Sequence, residues 1–126
     1  MEILNSRMIL RPRDRERSLH FYRDVLELAI FREFPVGTVF FLGQGFLEVS
    51  GQGEQGPSPD QVLWLQVRDV RAEFARLNER GVTVLAEPER QPWGLDEAWI
   101  TDPDGVRIVL VRIPEDHPLR VDVREH

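Results

Sequence analysis

The stretch Arg13-Asp14-Arg15-Glu16-Arg17-Ser18-Leu19-His20-Phe21-Tyr22 has an echo 55 residues on, in Arg68-Asp69-Val70-Arg71-Ala72-Glu73-Phe74-Ala75-Arg76-Leu77. Both open on Arg-Asp, and both place apolar residues at the same two offsets: Leu19 and Tyr22 in the first, Phe74 and Leu77 in the second. Each follows a short apolar run, Met8 to Leu10 and Val62 to Val67, and each is followed by further strand-like runs. Two copies of one strand–helix–strands unit are therefore expected. A repeated unit that cannot close a core alone stacks on its twin, and the seam between twins is a natural place for a ligand.

Working outward, the helix signals are specific. Asp14 reads as an N-cap with Glu16 in the first turn. Leu19, Tyr22 and Leu26 share a helical face, with Val25 beside them. Glu27 stands where many helices carry glycine, so a left-handed cap there would cost about 1 kcal/mol. In the second unit Asp69 is the cap, Val70, Phe74 and Leu77 form the stripe, and Gly81 follows at the C′ position.

The strands read as Ile3–Leu10, ending before Pro12, then Leu28–Phe34, Val39–Leu42 and Phe46–Val49. Turns at Pro35-Val36-Gly37 and Gly43-Gln44-Gly45 separate the last three. In the second unit the strands are Val62–Val67, Val82–Leu85, Ala98–Thr101 and Val106–Arg112. A proline-bearing loop covers Glu87–Gly94, and Asp102-Pro103-Asp104-Gly105 is turn chemistry rather than a carboxylate pair. One domain is expected over 1–126, with module 1 at 1–50, an exposed, mobile linker at 51–61, module 2 at 62–113 and a tail at 114–126 that hangs loose or packs on a neighbour.

Composition narrows the chemistry. The chain has 126 residues, 41% of them hydrophobic, enough for one ordinary core. It has no cysteine, which removes disulfides, thiolate metal sites and cysteine nucleophiles. All 16 basic residues are arginine, so lysine-based Schiff-base or general-base chemistry is excluded. A net charge of −6 works against nucleic acid as a partner. No run approaches the roughly 20 apolar residues of a membrane span, and no signal pattern opens the chain. A cytoplasmic protein without membrane partners is expected.

The segment Asp14–Leu28 (DRERSLHFYRDVLEL) resembles the first-helix signature of the glyoxalase / bleomycin resistance / extradiol dioxygenase superfamily, the vicinal oxygen chelate proteins. Phe46-Leu47-Glu48-Val49 is similar to its fourth strand. Trp93-Gly94, followed by Thr101-Asp102-Pro103-Asp104-Gly105-Val106-Arg107-Ile108, is similar to its last hairpin. The resemblance implies an α+β fold: two βαβββ modules forming a curved mixed sheet with helices on the outer face, often as a homodimer. It also implies a metal held by His or Gln on the first strand, Glu on the fourth, His on the fifth and Glu on the eighth. Those positions fall on Arg7, Glu48, Val62 and Val109. Valine has no donor atom and arginine stays protonated, so only Glu48 fits. One carboxylate does not hold such a metal; no metal and no cofactor are expected. His20, His117 and His126 are scattered and carry no site.

Side-chain alternation places Arg7, Ile9 and Arg11, Phe46 and Glu48, Val62, Trp64 and Gln66, and Arg107, Val109 and Val111 on the cup face. Met8, Leu10, Leu47, Val49, Leu63, Leu65, Ile108 and Leu110 face the helices. An apolar concavity with few polar groups is how small-molecule sites are built. The candidate ligand-binding residues are Arg7, Phe46, Glu48, Trp64, Gln66, Trp93, Trp99 and Arg107, with an Arg7–Glu48 ion pair where the metal would sit. The leading reading is a metal-independent small-molecule-binding protein that sequesters a drug or metabolite. The alternative is a lyase, isomerase or dioxygenase with an unconventional metal site, or a metal-free one in which Glu48 is the catalytic base. A third is a regulatory domain whose cup is filled by its own side chains.

Overall fold

The computed structural model describes residues 1–118. In it Asp14 starts the first helix with its own side chain. Its backbone is extended and its carboxylate accepts the Arg17 N–H at 3.2 Å, which satisfies one orphan amide of the first turn. Helix α1 covers Arg15–His20 and runs on into a π-helical turn, Phe21–Val25. There the Leu26 N–H reaches back five residues to the Phe21 carbonyl at 2.9 Å, and the Leu28 N–H reaches the Tyr22 carbonyl at 3.0 Å. Nothing in the apolar spacing announces this wider turn. It carries two adjacent buried rings, Phe21 and Tyr22, edge to face with centroids 5.0 Å apart. The chain then reverses at Glu27 with φ 59°, so the position keeps its left-handed conformation without glycine.

Strands β1 (Arg7–Leu10), β2 (Ile30–Phe34), β3 (Gly37–Leu42) and β4 (Gly45–Ser50) form one four-stranded sheet in the order β1-β4-β3-β2. β1 runs parallel to β4, and the other pairs are antiparallel. β1 is shorter than expected. Its register with β4 begins at Arg7 opposite Phe46, and β4 itself begins at Gly45, so Ile3 and Leu4 have no strand to pair with and are exposed. The core of this unit is Leu19, Phe21 and Tyr22 against Phe40, Leu47 and Val49. The Tyr22 and Phe40 rings lie 6.4 Å apart.

The second unit repeats the plan. β5 (Val62–Gln66), α2 (Val70–Glu79), β6 (Thr83–Arg90), β7 (Asp96–Thr101) and β8 (Arg107–Arg112) give the sheet order β5-β8-β7-β6, again with one parallel pair, β5 and β8. Asp69 caps α2 by accepting the Ala72 N–H at 3.0 Å, and Gly81 takes φ 80° behind it. Val70, Phe74 and Leu77 pack beneath α2 as the stripe requires, with Leu63, Ala98, Ile100, Ile108 and Leu110 buried on the sheet. Among the described residues this is an α+β fold of two βαβββ modules, each with its helix on one face of its sheet.

Three expectations need correction. The proline-bearing stretch from Glu87 is half strand: β6 continues to Arg90. Pro88 is tolerated because β6 is an edge and its register with β7 skips at Ala86–Glu89. The linker is not loose at its start. The Gly51 N–H donates to the Val36 carbonyl at 2.9 Å, the Gly53 N–H to Pro12 at 3.0 Å, and Arg15 to the Gly51 carbonyl at 3.1 Å. The tail begins packed: Ile113 and Pro114 are buried and His117 Nε2 donates to the Trp93 carbonyl at 2.9 Å. His126 lies outside the described residues.

Chain contacts divide the molecule into two units. One holds Met1–Pro57 and Pro103–Gly105, where Asp104 accepts the Arg13 N–H at 3.0 Å; the other holds the remainder. In the first unit Gly37 is irreplaceable on steric grounds, because a Cβ there would run into the Val49 carbonyl and Ser50. Gly37→Ala is expected to destabilise the protein by about 2 kcal/mol or more, measured by denaturant unfolding. Asp69→Ala should cost about 1 kcal/mol through the lost cap.

Candidate functional site

Glu48 leaves β4 on the face turned away from α1, two residues before Ser50. Its side chain is only 12% exposed, and both oxygens are engaged. Arg7 Nη1 donates to Oε1 at 2.8 Å and the Ser50 hydroxyl donates to Oε2 at 2.6 Å. Arg11 Nη1 donates in turn to Ser50 Oγ at 2.5 Å and stands 3.6 Å from Glu48 Oε2. The Ser50 hydroxyl, and after it Arg7, holds the Glu48 carboxyl below the usual carboxylate range. The expected Arg7–Glu48 pair is thus present, but a serine completes it and a second arginine lies alongside.

Beside this pair lies an aromatic surface. Phe31, Phe41 and Phe46 meet in a triangle with centroids 5.2, 4.6 and 5.5 Å apart, and the Arg7 guanidinium sits 5.9 Å from the Phe46 centroid. Phe31 is 48% exposed and Phe41 44%. Ile9, opposite Glu48 in the parallel register, is also exposed. At the end of β1 an open depression of about 410 Å³ is lined by Ser6, Arg7, Met8, Leu42, Gly45 and Phe46.

The corresponding face of the second unit is different. Trp64, Val109 and Trp99 form a cross-strand row, and Gln66, Val111 and Glu97 form the next. Val109 and Val111, expected as open cup wall, are buried with Leu95 and Ile113 in a small apolar cluster against which Trp99 packs. Trp64 and Trp93 are exposed, as are Gln66 and Arg107. Glu97 is buried and accepts both indole N–H groups, from Trp93 at 2.8 Å and from Trp99 at 3.2 Å. The first unit therefore brings together Arg7, Phe46 and Glu48, and the second joins Trp93 to Trp99 through a residue the sequence reading did not select.

The sequence profile described as Glyoxalase/Bleomycin resistance protein/Dioxygenase superfamily matches residues 5–110. The chain belongs to this superfamily. Among solved structures, TnmS3, an antibiotic binding protein from Streptomyces sp. CB03234, is similar at 26% identity and a TM-score of 0.75, over 90% of this chain and 98% of that one. A protein of unknown function from Agrobacterium tumefaciens str. C58 is similar at 27% identity and a TM-score of 0.74, over 90% and 95%. A superfamily member from Sphaerobacter thermophilus DSM 20745 follows at 25% and 0.68, over 88% and 98%. No curated protein sequence matches the chain significantly.

Superfamily membership raises the metal directly, and the residues present do not fit one. Of the four positions the resemblance points to, Val62 and Val109 have no donor atoms, Arg7 is a cation, and Glu48 has committed both oxygens to Arg7 and Ser50. Among the described residues no group of three or more His, Cys, Asp and Glu side chains converges elsewhere. His20 is exposed and contacts Asp24 at 3.0 Å.

Of the residues missed, Phe41 was readable, because the two-residue turn Gly43-Gln44 sets Phe41 opposite Phe46. Glu97 shares a face with Trp99 by parity, but a strand begun at Ala98 leaves it out. Phe31 reaches the trio from beside a bulge between Ile30 and Arg32, which no pattern discloses.

Glu48, and Asp96 (held low by Arg90 and then Arg112), both have folded pKa values below their unfolded ones. Their stabilisation is complete above the unfolded carboxylate range and disappears as pH falls through the lowered folded values. Glu48→Gln should therefore show a stability deficit near neutral pH that shrinks as pH is taken below about 4. Denaturant unfolding across that range checks it.

Proposed function

We propose that this chain is a metal-independent small-molecule-binding protein that sequesters a flat, largely apolar organic compound. The observation that carries this reading is the occupied corner at Glu48, where a guanidinium and a hydroxyl take up the lone pairs that a metal would need. The same observation disfavours the catalytic alternative. A carboxylate held below its usual range with both oxygens bonded is a poor proton acceptor near neutral pH.

The uncovered ring trio Phe31, Phe41 and Phe46 supports stacking, and Arg7 beside it suits an anionic or electron-rich substituent. TnmS3, similar at 26% identity, is described as an antibiotic binding protein, which supports the same class of ligand. Trp64, Gln66 and Arg107 belong to the proposal as exposed residues of the second unit. A homodimer and a cytoplasmic location complete it. Among the described residues no helix is long and apolar enough to cross a membrane.

Thermal-shift measurements with aromatic metabolites and antibiotic-like natural products test the reading, since a compound bound only by the folded protein raises Tm. A binder is expected, and Phe41→Ala should weaken it by roughly tenfold. Near-stoichiometric metal in the purified protein, lost in Glu48→Gln, would overturn the proposal.

A further inference from the structure

Glu97 is a buried carboxylate whose hydrogen-bond donors are neutral. Its residue is 7% exposed, and its partners are the two indole N–H groups. Glu48 has Arg7 and Arg11 beside it, and Asp96 has Arg90 and Arg112. Among the described residues no cation pairs with Glu97. Its cross-strand neighbour is Val111, within the apolar cluster of Leu95, Val109 and Ile113. Neutral donors satisfy the hydrogen bonding of a carboxylate and leave its charge in place. A negative charge in apolar surroundings is costly until a positive one comes near.

The two donors are also the side chains best suited to receive a cation on their faces. Indole binds cations through its π-system more strongly than the other aromatic rings. An N–H that donates to a carboxylate pushes electron density back into its ring, because bonded groups polarise one another in a low-dielectric setting. Trp93 is 58% exposed, so its face is open to solvent. It is also held in place. Its indole is fixed by Glu97, its carbonyl accepts from His117, and the loop around it is closed by the Gly94 N–H to Gln91 at 2.9 Å and the Gln91 N–H to Leu95 at 2.8 Å. A platform ordered before the ligand arrives loses little freedom on binding.

We propose that Trp93, Trp99 and Glu97 form a subsite for a flat organic cation, in which the open Trp93 face supplies the stacking surface, the half-buried Trp99 shares the same carboxylate, and Glu97 supplies the balancing charge. The proposal rests on the small-molecule reading above and adds to it a flat cationic group. The chain's net charge of −6 favours the approach of such a molecule.

The probes are N-methylacridinium, a permanent cation, and acridine, its nearly isosteric neutral counterpart at neutral pH. Affinities are read by calorimetry and by tryptophan quenching. The cation is expected to bind roughly tenfold more tightly than acridine. Glu97→Gln keeps the size of the side chain and one acceptor oxygen while removing the charge. It should reduce the preference to about twofold or less and leave acridine affinity little changed. A merely structural role for Glu97 would lower both affinities together. Should Glu97→Gln fail to fold, the Trp93→Ala variant decides: it is expected to stay folded with a modestly lowered Tm, since Glu97 Oε2 loses its donor, and to bind acridinium roughly tenfold more weakly. Equal affinities for the two dyes, an unchanged preference in Glu97→Gln, or unaltered binding in Trp93→Ala would overturn the inference. Equal affinities would leave the small-molecule reading standing. Absence of binding by either dye would remove this subsite, with the thermal-shift series and Phe41→Ala still judging the wider reading.

Discussion

A strand displays its side chains to two sides by turns, and one short helix can cover only one side of a four-stranded sheet. That constraint shapes both units. Leu47, Val49 and Phe40 go beneath α1, and Ile108, Leu110 and Ile100 go beneath α2. Whatever stands on the other side must be soluble enough to be left uncovered, or be buried by something other than the helix. The two units answer differently although their topology is the same. The first leaves rings and an ion pair on its second face. The second folds Leu95 and Ile113 over Val109 and Val111 and leaves Val62, Trp64 and Trp93 exposed.

The two carboxylates on these faces show how little the fold decides about chemistry. Glu48 and Glu97 are both acids on a sheet face opposite a helix, and both use both oxygens. Glu48 is matched by guanidinium and hydroxyl, so its charge is cancelled where it stands. Glu97 is matched by indole N–H groups alone, so its hydrogen bonds are satisfied but its charge is not. The first arrangement closes off metal ligation. The second keeps an electrostatic demand that a ligand can meet.

What was legible in the sequence follows from the range of each interaction. Caps and strand parity are local, so Asp14, Asp69, Gly81 and the alternation of β5 were readable from neighbours in the chain. The Arg7–Glu48 pair was readable because superfamily resemblance supplied the long-range register that local pattern lacks. The π-helical turn was not, since it shifts the hydrogen bonding by one residue without altering the apolar spacing. The burial of Val111 was not, since its cover, Leu95 and Ile113, comes from loop and tail residues with no period of their own. Glu97 was lost to a strand boundary placed two residues late, an error that costs little in fold and much in site.

The irregular edges carry a consequence for association. β2 is bulged between Ile30 and Arg32, and β6 breaks register between Val84 and Ala86 and again between Ala86 and Glu89, across Pro88. Unpaired strand edges otherwise act as templates on which further chains add, and bulges and prolines spoil the template. A protein that leaves phenylalanine and tryptophan exposed beside such edges runs a standing risk of fibrous growth. Here the kinked borders at β2 and β6 let those two edges stand near sticky rings while denying intruders a straight seam along which to stitch.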